Sequence, residues 1–315
     1  MDKRPEKKFI PVMLTPFKEN GEIDFDGLTR LTEMYLHAGV KGLFANCQSS
    51  EMFELSDDEK LQIVRHVMGV TEGRVPVVAV GNFGKTVASQ ADFMNKIYDT
   101  RVQAVIIVTS LIASEKEQPD VFEERIFQLF ELTGKMPLGF YECPEPYKRV
   151  LSAKQLQKFV ATGRVIYHKD TCLDLALVRE KLKATNAYTS FGLYDAYVIN
   201  AVDSLKAGAA GLSCIQGNFF PELIVWLCEH YDDDASIEDV SKVQDFLKDN
   251  MEVMHHSYPT TAKYYLQKSG LNISIFTRSK AGIFTTDMKH KLDHLFDQYD
   301  RLKKNIEMQE LKLLQ

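Results

Sequence analysis

The 315-residue chain is short of several things, and each shortage excludes a class of protein. No apolar run reaches the ~18 residues that a membrane helix needs. The apolar stretch near the start, Phe9–Leu14, is too short for a signal-peptide core and follows a charged segment, Met1–Lys8. Cysteines number five (Cys47, Cys143, Cys172, Cys214 and Cys228), an odd count with no closely spaced pair. That argues against a disulfide scaffold and for a reducing compartment, hence the cytoplasm. Basic charge is not in excess: 38 Lys+Arg stand against 44 Asp+Glu, a net charge of −6. Neither nucleic acid nor an anionic membrane surface fits such a chain as its main partner. Low-complexity segments are absent. So are a Gly-x-Gly-x-x-Gly fingerprint after the first strand and a Walker loop; Gly81–Lys85 is only a weak glycine loop.

What is present is an ordinary globular mixture, 45% apolar and 26% charged. Short β-rich apolar runs alternate with amphipathic stretches. The runs are Phe9–Thr15, Gly42–Cys47, Val75–Gly81, Ala104–Ser110, Pro137–Cys143, Val165–Thr171, Ala187–Gly192 and Gly211–Gln216. Helical spacing marks Asp24–Ala38, Ser56–Met68, Thr86–Asp99, Asp120–Thr133, Ser152–Ala161, Leu173–Lys183, Asp195–Ala207 and Phe219–His230. Ser56 with Glu59 reads as a capping box. Runs apolar on both faces predict parallel strands covered by helices. Eight such units predict an α/β fold, a closed (β/α)8 TIM barrel over residues 1–231; a doubly wound open sheet is the alternative. An acidic hinge, Asp232–Asp234, then leads into a helical extension, 232–315, with helices over Ile237–His255, Thr260–Ser269 and Asp287–Leu314. In the last of these, Leu292, Leu295, Tyr299, Leu302 and Ile306 form a seam, read as a stripe packed on the barrel or as a coiled-coil contact.

A barrel of this kind carries its chemistry at the C-terminal ends of the strands. Lys169 is the unusual residue there, late in an otherwise apolar strand. Alternation puts Tyr167, Lys169 and Thr171 on one side and His168 and Asp170 on the other. An inward Lys169 loses water, which lowers its pKa and frees the amine to attack ketones as a Schiff-base nucleophile. An ion pair with a barrel carboxylate, or snorkelling to the rim, is the plainer reading. Tyr141, on the preceding strand, is placed either to shuttle protons or to fill the barrel mouth. Ser49 and Ser50 follow the second strand, where hydroxyls and amides cradle a carboxylate or simply make a turn. The scattered cysteines lack zinc spacing. His255 and His256 read as surface. Glu51 and Glu142 are possible paired carboxylates, with nothing to fix their separation.

These residues resemble the dihydrodipicolinate synthase/N-acetylneuraminate lyase family of class I aldolases, over roughly Phe9–Arg278. The resemblance rests on Pro11-Val12-Met13-Leu14-Thr15-Pro16-Phe17, on Gly42–Asn46 followed by Ser49 and Glu51, on Tyr141 with Pro144, and on Lys169-Asp170-Thr171. Gly208, Gly211 and Asn218, then Pro259, Lys263, Gly270 and Arg278, fit further on. The resemblance implies that Lys169 condenses with the ketone of pyruvate or a longer 2-keto acid, that Tyr141 shuttles the proton, and that Gln48, Ser49 and Ser50 lie in the carboxylate-binding loop. It implies no metal, no organic cofactor, and a homo-oligomer, tetramer or dimer. A polar, sugar-derived tail would lie among Tyr194, Asp195, Ser213 and Gln216.

Three departures stand out. Cys47-Gln48-Ser49-Ser50-Glu51 replaces both glycines of the family's Gly-Thr-Thr-Gly-Glu. Leu111 and Ile112 stand where the family often has two tyrosines, and Pro146 falls where synthases place an arginine. These argue against the lysine-pathway synthase itself. The expectation is a carbon–carbon lyase or aldolase. A binder that has lost turnover, or a dehydratase or decarboxylase using the same imine, is the alternative.

Overall fold

The computed structural model describes residues 6–306 and 308. Its strands are β1 (Lys8–Phe9), β2 (Leu43–Asn46), β3 (Val77–Val80), β4 (Ala104–Val108), β5 (Leu138–Tyr141), β6 (Val165–Asp170), β7 (Gly192–Asp195) and β8 (Gly211–Leu212). Between them lie α1 (Phe25–His37), α2 (Asp57–Thr71), α3 (Val87–Tyr98), α4 (Pro119–Leu132), α5 (Ala153–Val160), α6 (Leu175–Thr185) and α7 (Ala201–Lys206), with α8 (Pro221–His230) after β8. All strand pairs are parallel and run in chain order from β2 to β8, with β8 returning to β1. Pro11 breaks β1 because it has no N–H to give. Closure nevertheless continues past it, as Phe44 N–H donates to Pro11 O and Met13 N–H to Phe44 O, each at 3.0 Å. The expected (β/α)8 barrel is the observed fold.

The pleat sorts the apolar side chains into two layers. Ile10, Val12, Phe44, Val78, Val80, Ala104, Ile106, Val108, Tyr141, Tyr167 and Tyr194 pack together inside the barrel. Their strand neighbours, among them Val77, Ala79, Val105, Ile107, Phe140 and Leu193, pack outward against the helices. The capping box of α2 is present: Ser56 N–H donates to Glu59 Oε2 at 2.8 Å, and Glu59 N–H to Ser56 Oγ at 3.3 Å.

C-terminal helices follow: α9 (Ile237–Asp249), α10 (Met251–His255), α11 (Thr260–Lys268) and α12 (Thr286–Asn305). Residue 307 and residues 309–315, the end of the expected last helix, lie outside the described residues, as do residues 1–5 of the charged N-terminal segment. The α12 seam is buried in the same cluster as the barrel's outer layer, with the Tyr299 ring centroid 4.4 Å from that of Phe220. It is a stripe packed on the body of the protein.

Three strand expectations need correction. The Ala187–Gly192 run is mostly turn: Tyr188 N–H bonds Thr185 O and Phe191 N–H bonds Tyr188 O, so the strand begins at Gly192. A Cβ on Gly192 would lie 2.9 Å from Ala210 Cβ, so the tight wall there requires glycine. The first and last strands are shorter than expected, cut by Pro11 and by a 3-10 turn over Ile215–Asn218.

Candidate active site

Lys169 points into the barrel. Its partners in register, Tyr141 on β5 and Tyr194 on β7, both belong to the inner layer. The residue is 4% exposed. Among the described residues its ammonium makes no ion pair or hydrogen bond; it sits over the face of Tyr141, 4.2 Å from the ring centroid. Burial lowers its pKa, a shift that Cys47, Cys143 and Cys214 oppose. Burial pushes Cys143 up to about 11 and Cys214 to about 12, so these thiols are neutral at physiological pH. No carboxylate of the described residues is among the groups that act on the amine.

Tyr141 O–H donates to Gln48 Oε1 at 3.3 Å, and Cys143 Sγ reaches the same oxygen at 3.7 Å. Burial first, then the neighbouring thiols, raise the Tyr141 pKa well above its ordinary value. The group is a phenol, able to donate a proton where charge develops at Lys169.

The turn after β2 carries Gln48–Ser50 in one 3-10 turn. Cys47 is extended (φ −148°, ψ −173°), and the left-handed residue of the loop is Glu51 (φ 59°). Neither substituted glycine position thus needs glycine here. Ser49 Oγ accepts from Tyr258 O–H at 2.7 Å. Tyr258 Oη in turn accepts from Asn218 Nδ2 at 2.5 Å, and Asn218 Oδ1 accepts from Tyr35 O–H. An amide N–H can only donate, so the direction of this relay is set. The Ser49 hydroxyl hydrogen is left to point at an acceptor.

The model of the dihydrodipicolinate synthetase family matches residues 5–299. The chain belongs to this family. Among curated relatives, 4-hydroxy-tetrahydrodipicolinate synthase of Staphylococcus saprophyticus is 26% identical over 227 residues, covering 72% of this chain and 75% of the relative. Probable 5-dehydro-4-deoxyglucarate dehydratase 2 of Streptomyces avermitilis is 28% identical over 211 residues, 67% of this chain and 61% of the relative. Among solved structures, the prophage protein YagE of Escherichia coli, of the dihydrodipicolinic acid synthase family and in complex with pyruvate, superposes with a TM-score of 0.84 at 20% identity. That match covers 93% of this chain and 98% of that one. The dihydrodipicolinate synthetase family is of the Schiff-base aldolase and lyase type, which agrees with the buried amine at Lys169.

Not every expected site residue of this family member lies with Lys169. Tyr194 faces inward but stacks on Tyr167 (4.8 Å, 24°), with its hydroxyl turned back toward Gly192. Asp195 cannot share that face: it pairs with Asp170 in register and lies on the outer, helix-facing side, 1% exposed. Ser213 Oγ is engaged by Tyr167 O–H and Ile10 O. Ser50 Oγ donates to Met13 O and accepts from Cys47 N–H, and Ser50 N–H donates to Cys47 O, so it closes the turn. Gln216, 1% exposed, keeps an unpartnered buried Oε1 on the turn after β8. Of the residues expected in the polar tail site, Tyr194 lies in the inner layer beside Lys169, and Gln216 and Asp195 each keep an unpartnered buried oxygen.

Glu51 and Glu142 are not a pair. Glu51 bonds Lys263 of α11, whereas Glu142 faces α6. His255 and His256 are exposed. The described residues hold one group of three potential metal donors, Glu142, His168 and Asp170, and it contains no thiol. It lies behind β5 and β6, away from Lys169, and Lys181 Nζ sits 2.7 Å from Glu142 Oε1 and 2.6 Å from Asp170 Oδ2. Tyr258, Tyr35 and Lys181 were not singled out from sequence as site residues. Each reads there as an ordinary helical or loop position, and only the fold brings each to its partners.

Proposed function

We propose that the protein is a carbon–carbon lyase or aldolase acting on a 2-keto acid of the pyruvate type through a Schiff base on Lys169. The observation that carries this is a buried amine inside the barrel, with no carboxylate partner and a phenol face 4.2 Å away. The Lys169 amine adds to the C2 carbonyl, and the carbinolamine loses water to give an iminium. Tyr141 hands over and recovers protons at the oxygen and carbon that change charge, through its hydroxyl on Gln48. The iminium draws in the electrons of the C3–C4 bond as the C4 hydroxyl returns a proton to the Tyr141 oxygen and the aldehyde leaves. The resulting enamine takes that proton at C3, and water hydrolyses the product iminium to free the keto acid and the Lys169 amine. The Ser49 hydroxyl, oriented by Tyr258, donates to the substrate carboxylate. The Ser49 N–H joins it, while that of Ser50 is spent on Cys47 O. No metal and no organic cofactor enters this sequence.

A dehydratase using the same iminium is the second reading, favoured by the 28% identical Streptomyces relative that bears that name. The chain works, on this proposal, in the cytoplasm as a homo-oligomer, with residues 232–315 as an extension that completes the site through Tyr258. The test is borohydride reduction with pyruvate and a panel of longer 2-keto acids, read by intact mass, followed by product analysis with each acid that is trapped. Aldehyde release supports the lyase and loss of water from the substrate the dehydratase. A wild-type protein that is never trapped rejects both.

A further inference from the structure

Two residues named for the chemistry, Tyr141 and Lys169, stand opposite each other on neighbouring strands. Each is followed by an acid, Glu142 and Asp170, which alternation turns to the far side of the wall. Both acids are fully buried. Lys181 of α6, 1% exposed, reaches them from behind, its Nζ 2.7 Å from Glu142 Oε1 and 2.6 Å from Asp170 Oδ2. The same carboxylates hold the loops that leave the strands. Glu142 accepts from Leu151 N–H (2.9 Å) and Thr171 N–H (3.2 Å), and Asp170 accepts from Cys172 N–H (2.8 Å). His168 Nε2 lies 3.3 Å and 3.5 Å from the two acids, outside hydrogen-bond geometry, and Asp195 adjoins Asp170 on β7.

We propose that Lys181 is a positioning residue: by bridging Glu142 and Asp170 behind the wall, it sets the relative placement of Tyr141 and Lys169 inside it. Two buried carboxylates on adjacent strands repel, and one ammonium between them turns that repulsion into a clamp. A buried ion cluster of this kind is weak evidence for stability, since well-packed apolar groups do as well or better. Its effect falls on geometry, one residue away from each reacting side chain. Displacement of about 1 Å at reacting groups lowers rates by up to about 100-fold. The proposal rests on the Schiff-base reading for its consequence but not for its geometry.

The experiment compares the full-length protein with Lys181→Met, Lys181→Arg and the uncharged triple variant Glu142→Gln/Asp170→Asn/Lys181→Met. Two readouts are taken: amide hydrogen exchange of the ligand-free protein, and the rate and pyruvate dependence of borohydride trapping. Lys181→Met is expected to speed exchange at 141–143, 151 and 169–172 only. It should slow trapping by at least about 10-fold, while the half-saturating pyruvate concentration stays within about twofold, because the carboxylate is held from β2. Arginine, which also bridges two carboxylates, should restore both readouts in part. Wild-type exchange in folded Lys181→Met overturns the clamp, and faster local exchange with unchanged trapping overturns the positioning role. Should Lys181→Met not fold, the triple variant decides by the same criteria. A wild-type protein that pyruvate never traps rejects the proposed function, and exchange still judges the clamp.

Discussion

Replacing Lys263 by methionine should destabilise the protein by about 3 kcal/mol, the lower end of the range for breaking a buried ion pair. The ammonium is fully buried on α11, 2.8 Å from Glu51 Oε1 and 2.8 Å from Phe276 O, and 4.6 Å from the centroid of the Phe17 ring. Methionine keeps much of that packing, so the loss is mainly the charge left behind on Glu51, itself 3% exposed. Glu51 does not become fully orphaned. Its Oε2 still accepts from Arg278 N–H at 2.7 Å and Ser279 N–H at 2.8 Å, which is why the lower end applies. In a chain of this size, 3 kcal/mol lowers the melting temperature by roughly 5 °C. Urea and thermal denaturation of Lys263→Met, Glu51→Gln and the double variant read the effect. The double variant should be less destabilised than the sum of the singles, because the second change removes the stranded charge. Glu51 closes the turn that carries Ser49, so Lys263→Met should also raise the half-saturating pyruvate concentration. A loss below about 1 kcal/mol, the worth of an ordinary hydrogen bond, with strict additivity would refute the reasoning.

Three further outcomes are expected. Burial raises the Asp195 carboxyl to about 7, so the folded state binds a proton that the unfolded state, near 3.9, has released. Stability should therefore fall as pH rises from 4 through 7, and Asp195→Asn, which keeps the acceptor for Tyr197 N–H, should gain on the wild type at pH 8 but not at pH 4; equal melting differences at both pH values would contradict this. Because burial lowers the Lys169 pKa, the trapping rate should level off with rising pH below the ordinary lysine value near 10.4, and a rate still climbing through pH 10 would show a solvated amine. Leu173 holds a left-handed backbone (φ 66°) while 52% exposed, so Leu173→Asn, which tolerates that conformation, should be neutral or stabilising by up to about 1 kcal/mol in urea denaturation. A loss of more than 1 kcal/mol would mean that the leucine is packed.

The barrel was legible because its signal is repeated and physical: parallel strands covered on both faces are apolar throughout, and most of the runs announce themselves. Lys169 was legible as the polar exception in such a run, and alternation from Tyr167 gave its direction. The same rule at Tyr194 and Asp195 puts the two on opposite faces of β7. The β7 position was missed because Ala187–Phe191 is rich in strand-formers yet closes turns, while the true strand contains an aspartate. Tyr258 and Lys181 were illegible for another reason. Their partners lie 209 and 39 residues away, at Ser49 and Glu142, and only closure of the barrel and the packing of helices on it supply the contacts.

The most direct measurement is peptide mapping of the borohydride adduct formed with pyruvate. The account predicts one reduced pyruvyl group per chain, on Lys169, and none on Lys169→Ala. An adduct that survives that substitution, or that forms on Lys181 or Lys263 instead, would contradict it.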